Sequence, residues 1–175
     1  MALDRESLRK PDIGFIPTEM EAIAAMFELV EASDRDILYD LGCGDGRVVI
    51  AAAQTLGMRG VGVDIDPDRL RSARENAERT EVSHLVEFRQ QDLYEADFRE
   101  ATIVFLYLLP HLNLRLLPNL LRQLKPGSRI VSHDFEIGSW QPDRTLHLDT
   151  PEEPTLYCWI MPEQVCLPAV SGSAE

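Results

Sequence analysis

Three glycines at alternating positions, Gly42, Gly44 and Gly46, are the residues of this sequence best suited to hold a ligand. They follow a short apolar run, residues 37–41, with Asp40 near its carboxyl end. Glycine tolerates positive φ and has no side chain, so a ligand can lie directly against the backbone. Strand–turn–helix corners of doubly wound sheets lie at the carboxyl ends of the strands, where ligands bind. The stretch therefore predicts a ligand-binding turn, and a glycine-rich turn without a ligand is the alternative.

A second acid, Asp64, ends another apolar run, residues 59–63, roughly 20 residues beyond the glycines. An acid at this distance from a glycine turn is placed for ribose hydroxyls in nucleotide-binding folds. Its carboxylate can accept two charge-assisted hydrogen bonds, each worth about 1.5–3 kcal/mol. The alternative role, capping the next helix, is already available to Asp66 and Asp68. The spacing therefore favours a ribose ligand for Asp64.

Short apolar runs alternate with helical patterns along most of the chain. This alternation predicts an α/β fold with a doubly wound, mostly parallel sheet. The most apolar run, residues 101–110, is the strand expected at the centre of that sheet. The predicted strands lie at 37–41, 59–64, within 86–93 together with the loop that follows, and at 101–110, 129–135, 145–148 and 156–161. Helices are predicted at 18–30, from 47, from near 67–68 through 77, and at 112–124.

The chain is expected to form one domain, with a core at 18–161, an N-terminal arm at 1–17 and a tail at 162–175. Thr18 and Glu21 form a capping-box pattern at the start of the first helix. The segment before this helix could cross the mouth of the glycine turn as a lid. The alternative is that the N-terminal helix only covers the sheet and that no lid is present.

The spacing of the glycines argues against one common ligand class. Dinucleotide-binding turns have the pattern G-x-G-x-x-G, and Arg47 occupies the position of the last glycine here. The pattern Asp40-x-Gly42-x-Gly44-x-Gly46 instead resembles the first motif of the class I methyltransferases, which use S-adenosylmethionine (SAM). The resemblance covers roughly residues 14–161. It implies SAM as cofactor, S-adenosylhomocysteine (SAH) as product, and a seven-strand sheet whose last strand is antiparallel.

Further site residues follow from this resemblance. It implies that Asp92, after the third strand, accepts a hydrogen bond from the adenine amino group. Ile65 and Leu93 are then the apolar pair that sandwiches the adenine ring, with core packing as the alternative for Leu93. The end of the fourth strand, residues 107–110, is implied to lie where the transferred methyl group is held.

A narrower likeness involves residues 40–49, 109–110, 129–132 and 140–142. These segments are similar to the small lysine methyltransferases of the mitochondrial ADP/ATP carrier and the ATP synthase c subunit. The similarity implies a lysine-bearing protein as methyl acceptor. Those enzymes carry a membrane-targeting segment, which we do not find here. The Asn/Asp-Pro-Pro-Tyr motif of amino-adenine and glutamine methyltransferases is also missing, because residues 108–110 are Leu-Leu-Pro.

Tyr107 and Asp134 are the candidate catalytic residues. A lysine nucleophile must be neutral, and an apolar, partly dry cleft lowers its pKa. Tyr107 can hydrogen-bond the amine, and Asp134 or His133 can take a proton or orient the acceptor. Core packing of Tyr107 and strand capping by His133 and Asp134 are the alternatives. Two other functions stay open: a small-molecule methyltransferase, with an enclosed pocket beside Tyr107 and Phe15, and a SAM-binding protein without transferase activity.

Composition limits the partners of this 175-residue chain. A net charge of −13 repels phosphate backbones, which argues against nucleic acid as a partner. The four histidines and three cysteines are scattered, so no metal site is predicted. We find no secretion signal and no apolar run long enough to span a membrane, which predicts a cytoplasmic protein without a membrane partner. The sequence predicts no particular oligomeric state.

Overall fold

The computed structural model describes residues 16–163, which form one seven-strand sheet with helices on both faces. The elements, in chain order, are α1 (Met20–Leu29), β1 (Ile37–Leu41), α2 (Arg47–Leu56), β2 (Arg59–Asp64), α3 (Pro67–Arg79), β3 (Val86–Gln90), β4 (Ile103–Leu106), α4 (Pro110–Gln123), β5 (Arg129–His133), β6 (Arg144–His147) and β7 (Thr155–Ile160).

The strands are ordered β3-β2-β1-β4-β5-β7-β6. β7 pairs antiparallel with both β5 and β6, whereas the pairs from β3 to β5 are all parallel. The predicted doubly wound sheet with an antiparallel last strand is therefore confirmed. β1 lies between β2 and β4, so the strand order reverses there. Open α/β sheets bind ligands at such a switch point, outside the carboxyl ends of the strands.

Helices cover the apolar side chains on both faces of the sheet. α1 and α2 pack on one face, against residues such as Leu38 and Phe105. α4 packs on the other face, against Tyr39, Leu41 and Trp159. All four residues of β4 are buried and this strand is fourth of the seven, which confirms the prediction that the most apolar run is central.

Helices α3 and α4 both begin with a proline, Pro67 and Pro110. Proline suits the first helical turn because its missing N–H has no intrahelical partner there. The Asp66 carboxylate caps α3 by accepting a hydrogen bond from the backbone N–H of Asp68 at 2.9 Å. α4 starts two residues earlier than predicted and continues through Pro118.

The predicted capping box at Thr18 and Glu21 is wrong. α1 starts at Met20, which makes Glu19 the N-cap, and no side chain caps the helix. Thr18 is buried, and its carbonyl oxygen accepts a hydrogen bond from Nη1 of Arg47 at 3.3 Å. The carbonyl oxygen of an N-cap residue normally accepts the first intrahelical hydrogen bond, but that of Thr18 is bound by Arg47, so this tertiary contact prevails over the local capping signal.

Most of the predicted arm and tail, together with Phe15, lies outside the described residues. Between residues 16 and 163, none of the helices has the length and apolar character that crossing a bilayer requires. The same range contains no group of three or more His, Cys, Asp or Glu side chains arranged to hold a metal ion.

Candidate functional site

The glycine turn between β1 and α2 requires glycine at its bends. Gly42, Gly44 and Gly46 have φ values of 97°, 54° and 79°, in the left-handed region that disfavours other residues. A Cβ on Gly46 would also lie 2.7 Å from Cζ of Phe88. The N–H groups of Gly42 and the next residue both donate to the carbonyl oxygen of Val63, at 2.8 and 3.0 Å. The turn is therefore fixed to the end of β2.

Asp64, the last residue of β2, joins the glycine turn to the loop that precedes α3. One carboxylate oxygen accepts a hydrogen bond from the N–H of Gly44 at 2.9 Å, and the other accepts from the N–H of Asp66 at 2.9 Å. The side chain is only 5% exposed. Each carboxylate oxygen can accept more than one hydrogen bond, so Asp64 keeps acceptor capacity for two ligand hydroxyls.

Asp40, in β1, lies deep in the same corner and is 3% exposed. Burial raises the pKa of Asp40 well above its ordinary value, and the neighbouring carboxylates of Asp64 and Asp45 raise it further. The part of the chain that the structure describes donates no hydrogen bond to the Asp40 carboxylate. A positively charged ligand would relieve the repulsion among these carboxylates, so the residues fit the sulfonium and ammonium groups of SAM.

The loop after β3 brings Asp92 to the same edge of the sheet. Gln91 donates its N–H to the carbonyl oxygen of Asp64 at 3.0 Å, which ties this loop to the end of β2. The Asp92 carboxylate accepts a hydrogen bond from the N–H of Tyr94 at 3.0 Å. Leu93 and Ile65 are both partly buried, and Leu93 also packs against the core. The structure thus brings together the carboxyl ends of β1, β2 and β3, as the spacing predicted.

A second group of polar side chains lies at the ends of β4 and β5. Tyr107 directly follows β4, and Asp134 directly follows the neighbouring strand β5. The Tyr107 ring packs edge-on against the ring of His133, with the two centroids 3.9 Å apart. Nδ1 of His133 lies 3.6 Å from Oδ2 of Asp134. The two predicted catalytic residues therefore share His133 as a neighbour.

Asp134 is held in an uncommon backbone conformation, with φ at 64°. Its N–H donates to the carbonyl oxygen of Thr155 at 2.7 Å, and its Oδ1 accepts from the N–H of Thr155 at 3.0 Å. Asp134 thus closes the β5–β7 ladder with one oxygen, as the capping alternative supposed. Its other oxygen lies beside His133, and the side chain remains 35% exposed. Strained residues of this kind cluster at functional sites.

Protonation at this second group follows from burial and nearby carboxylates. Burial lowers the pKa of His133, although the Asp134 carboxylate opposes the shift, so the imidazole is mainly neutral at pH 7. Burial raises the pKa of Tyr107 and Asp134 raises it further, so the hydroxyl keeps its proton. Partial burial also raises the pKa of Glu19, with a further contribution from the Glu152 carboxylate. The Glu19 carboxylate also raises the pKa of Tyr107, so neutral aromatic groups and the carboxylates of Asp134 and Glu19 lie near one another here.

Two residues that support the glycine turn, Arg47 and Asn76, were not predicted from the sequence. Arg47 pairs with the Asp45 carboxylate at 2.7 Å while also reaching the carbonyl oxygen of Thr18. Asn76 of α3 donates from Nδ2 to the carbonyl oxygen of Asp45 at 3.0 Å. In the sequence, Arg47 argued against a dinucleotide ligand but gave no sign of its contact with Thr18, and Asn76 carried no local signal. Both contacts join segments distant in sequence, which local patterns do not report.

The sheet order, the glycine turn after β1, the acid at the end of β2 and the acid after β3 together define a class I SAM-dependent methyltransferase. The chain belongs to the ANTKMT methyltransferase family, whose sequence model, described as the ANTKMT methyltransferase domain, matches residues 40–144. The matched range includes the glycine turn and both groups of polar side chains. Both resemblances found in the sequence are therefore confirmed.

Individual relatives agree with this assignment. A protein-lysine N-methyltransferase of Saccharolobus islandicus is 38% identical over 155 residues, which cover 87% of this chain and 96% of that protein. The human lysine N-methyltransferase of the ATP synthase c subunit is 31% identical over 78% of this chain and 58% of its own length. The chain thus spans nearly all of the first relative and little more than half of the second.

A crystal structure of an RNA methyltransferase from Salinibacter ruber, in complex with SAH, is also similar. Its sequence is 53% identical, its TM-score is 0.82, and the match covers 86% of this chain and 96% of that one. Family, fold and site chemistry agree: this chain is a SAM-dependent methyltransferase, and SAM is its cofactor.

Proposed function

We propose that this methyltransferase transfers the methyl group of SAM to the ε-amine of a lysine side chain in a protein. The observation that carries the proposal is the group formed by Tyr107, His133 and Asp134 beside the ends of β4 and β5. An acceptor that arrives as a cation is attracted by the Asp134 carboxylate. The names of the Saccharolobus and human relatives, both lysine methyltransferases, support the same acceptor.

In this proposal four residues at the ends of β2 and β3 hold the adenosyl group. Asp64 accepts hydrogen bonds from the two ribose hydroxyls, using the acceptor capacity that Gly44 and Asp66 leave free. Asp92 accepts a hydrogen bond from the adenine amino group. Ile65 and Leu93, both partly buried, contact the two faces of the ring.

The other end of SAM lies against the glycine turn. The bare backbone of Gly42, Gly44 and Gly46 allows close approach of the methionine part, because no side chain stands in the way. Its cationic groups favour the ionised form of Asp40, whose pKa burial raises in the free protein, so the carboxylate provides negative charge once SAM is bound. Bound SAM supplies a methyl group on a positively charged sulfur, so this chain has only to position an amine in line with it.

Tyr107, His133 and Asp134, here called the acceptor group, complete the site. The Tyr107 hydroxyl oxygen and Oδ2 of Asp134, the oxygen not bound to Thr155, accept hydrogen bonds from the lysine ammonium, and Asp134 takes a proton as the amine becomes neutral. The amine lone pair then forms the new C–N bond while the C–S bond breaks and its electrons stay on sulfur. His133 holds the Tyr107 ring in place through their edge-on contact. Orientation of this kind supplies up to about 7–11 kcal/mol in favourable systems.

An RNA acceptor is the second candidate, because the Salinibacter protein is described as an RNA methyltransferase. The net charge of −13 and the carboxylates of the acceptor group argue against it, since both repel phosphates. Small-molecule transfer and SAM binding without transfer are the remaining alternatives.

Labelled SAM distinguishes these acceptors. The chain is incubated with methyl-labelled SAM and either lysine-rich polypeptide, total RNA or a protein-free metabolite extract. We expect label on lysine ε-nitrogen, located by hydrolysis and amino-acid analysis, and no label in the RNA. Label confined to RNA or to small molecules would overturn the lysine proposal. Binding of SAM with no transfer in any arm would favour a binding protein.

The affinity for SAM should fall at low pH. In the free protein the pKa of Asp40 is raised, and a bound cation favours the ionised carboxylate, so binding releases a proton. Affinity is therefore full above the free-protein pKa and falls as pH decreases through it, by at most about tenfold per pH unit for one proton. Calorimetry at several pH values measures this slope.

The control is Asp40→Asn, which should bind SAM more weakly but without this part of the pH dependence. An unchanged slope in Asp40→Asn would show that Asp40 is not the group that releases the proton. That result would remove Asp40 from the cation-binding role.

A further inference from the structure

A cavity of about 440 Å³ opens next to the acceptor group, on the side of the sheet covered by α4. We infer that this cavity, here called the flanking pocket, binds an arginine or lysine side chain of the acceptor polypeptide close to the methylated lysine. The inference rests on the proposed function, because it assigns the acceptor a second, basic residue. Six of the residues around the flanking pocket are Pro110, Leu114, Asp134, Phe135, Glu136 and Tyr157.

The position of the flanking pocket connects it to the reaction. Asp134 belongs both to the pocket wall and to the acceptor group with His133. Pro110 starts α4 directly after the residues that follow β4, where the resemblance places the methyl group. A polypeptide whose lysine reaches Asp134 therefore carries its neighbouring residues past the mouth of this cavity.

The walls of the flanking pocket match a long side chain with a positive end. Phe135 and Tyr157 are partly buried aromatic residues, and Leu114 is 53% exposed. The methylene stem of arginine or lysine packs on such surfaces while its charge stays near water. Asp134 and Glu136 supply two carboxylates for that charge, and the aromatic rings attract cations. An acidic or phosphorylated neighbour would meet the same two carboxylates and be repelled.

A hydrogen-bonded clamp holds the pocket wall in place. Asn113 of α4 is fully buried, and its Nδ2 lies 3.1 Å from Oγ of Ser132. The same nitrogen contacts the carbonyl oxygens of Phe135 and Glu136 at 3.4 and 3.3 Å. The Ser132 hydroxyl also donates to the Phe135 carbonyl oxygen at 2.5 Å. The loop is therefore ordered before a ligand arrives, which reduces the entropy lost on binding.

Peptides with a single lysine test the flanking pocket. Each neighbouring position is occupied in turn by Arg, Gln or Glu, and kcat/KM for methylation is measured with the full chain. We expect Arg to exceed Gln by about five- to tenfold at one or two positions, with Glu below Gln. In Glu136→Gln the advantage of Arg over Gln should shrink severalfold, while SAM affinity stays unchanged.

Glu78→Gln is the matched control, because Glu78 is exposed on α3 and its replacement removes the same charge. This variant should keep the full preference for Arg. An equal loss in both variants would assign the effect to net charge, and an unaltered preference in Glu136→Gln would overturn the inference.

A binding readout separates this inference from the proposed function. The same peptides, with norleucine in place of the target lysine, are bound to the SAH-loaded chain and followed by fluorescence anisotropy. Lysine methylation without any preference for Arg, together with equal binding of all peptides, would overturn the flanking pocket and leave the proposed function. A second outcome is that Arg peptides bind preferentially, that this preference weakens in Glu136→Gln, and that the lysine peptides are not methylated. It would support the pocket and overturn the proposed function.

Discussion

Asp64→Ala should weaken the binding of SAM and SAH by roughly 100-fold or more. With the proposed ribose role, the variant loses two charge-assisted hydrogen bonds, each worth about 1.5–3 kcal/mol, and each 1.4 kcal/mol is about tenfold in affinity. It also removes the carboxylate that accepts from the N–H of Gly44, so the glycine turn loses an anchor. Isothermal titration calorimetry with both ligands measures the loss.

The control for this experiment is Asp68→Ala. Asp68 lies in the first turn of α3, its side chain is 77% exposed, and it pairs with Arg71. Its replacement removes the same charge close to the site, and it should leave SAM affinity within about twofold. Thermal unfolding without ligand shows how much of the Asp64 effect comes from the turn itself. A folded Asp64→Ala protein with unchanged affinity would exclude Asp64 from the ribose site.

Asp134→Asn should lower kcat for methylation by about 100-fold and leave the affinity for SAM unchanged. A positioned proton acceptor contributes about 10²–10⁴ to the rate, and the amide cannot take the proton of the lysine ammonium. Asparagine tolerates the positive φ of this position. Its amide oxygen can still accept the hydrogen bond from the N–H of Thr155, so the β5–β7 ladder should remain closed. Single-turnover kinetics with a lysine peptide measures the effect.

Asp143→Asn provides the comparison for Asp134→Asn. The Asp143 carboxylate also accepts a backbone hydrogen bond, from the N–H of Ile160 at 2.7 Å, but it lies at the other end of β7. The variant should retain full kcat. Equal losses in both variants would point to altered sheet structure, and full activity of Asp134→Asn would remove Asp134 from the catalytic group.

Much of the fold was predictable because its signals are local. The first strand was predicted at 37–41 and is found at Ile37–Leu41, since a glycine turn stops the apolar run abruptly. The start of α3 was equally clear, because proline and two acids favour a helix start. Thr18 shows the limit of local signals. Its sequence matches a capping box, yet its carbonyl oxygen is bound by Arg47 and the N-cap is the next residue, Glu19.

The common edge of the predicted cofactor residues was also predictable, although their roles stay predictions. Parallel strands all run in one direction, so acids at the ends of successive strands meet at the same edge. The fold class alone was enough to place Asp40, Asp64 and Asp92 at this edge. The edge-on contact of Tyr107 with His133 and the clamp made by Asn113 had no comparable signal.

The sequence by itself determined the α/β class, the approximate positions of the strands in the chain and the glycine turn, because each depends on residues close together in the chain. Only the tertiary structure decided which distant parts of the chain meet: the Arg47 side chain with the carbonyl oxygen of Thr18, Tyr107 with His133, and Asn113 with the loop after β5. Such contacts depend on strand order and register, which bring distant segments within hydrogen-bond range. The acceptor group and the flanking pocket are built from contacts of this second kind.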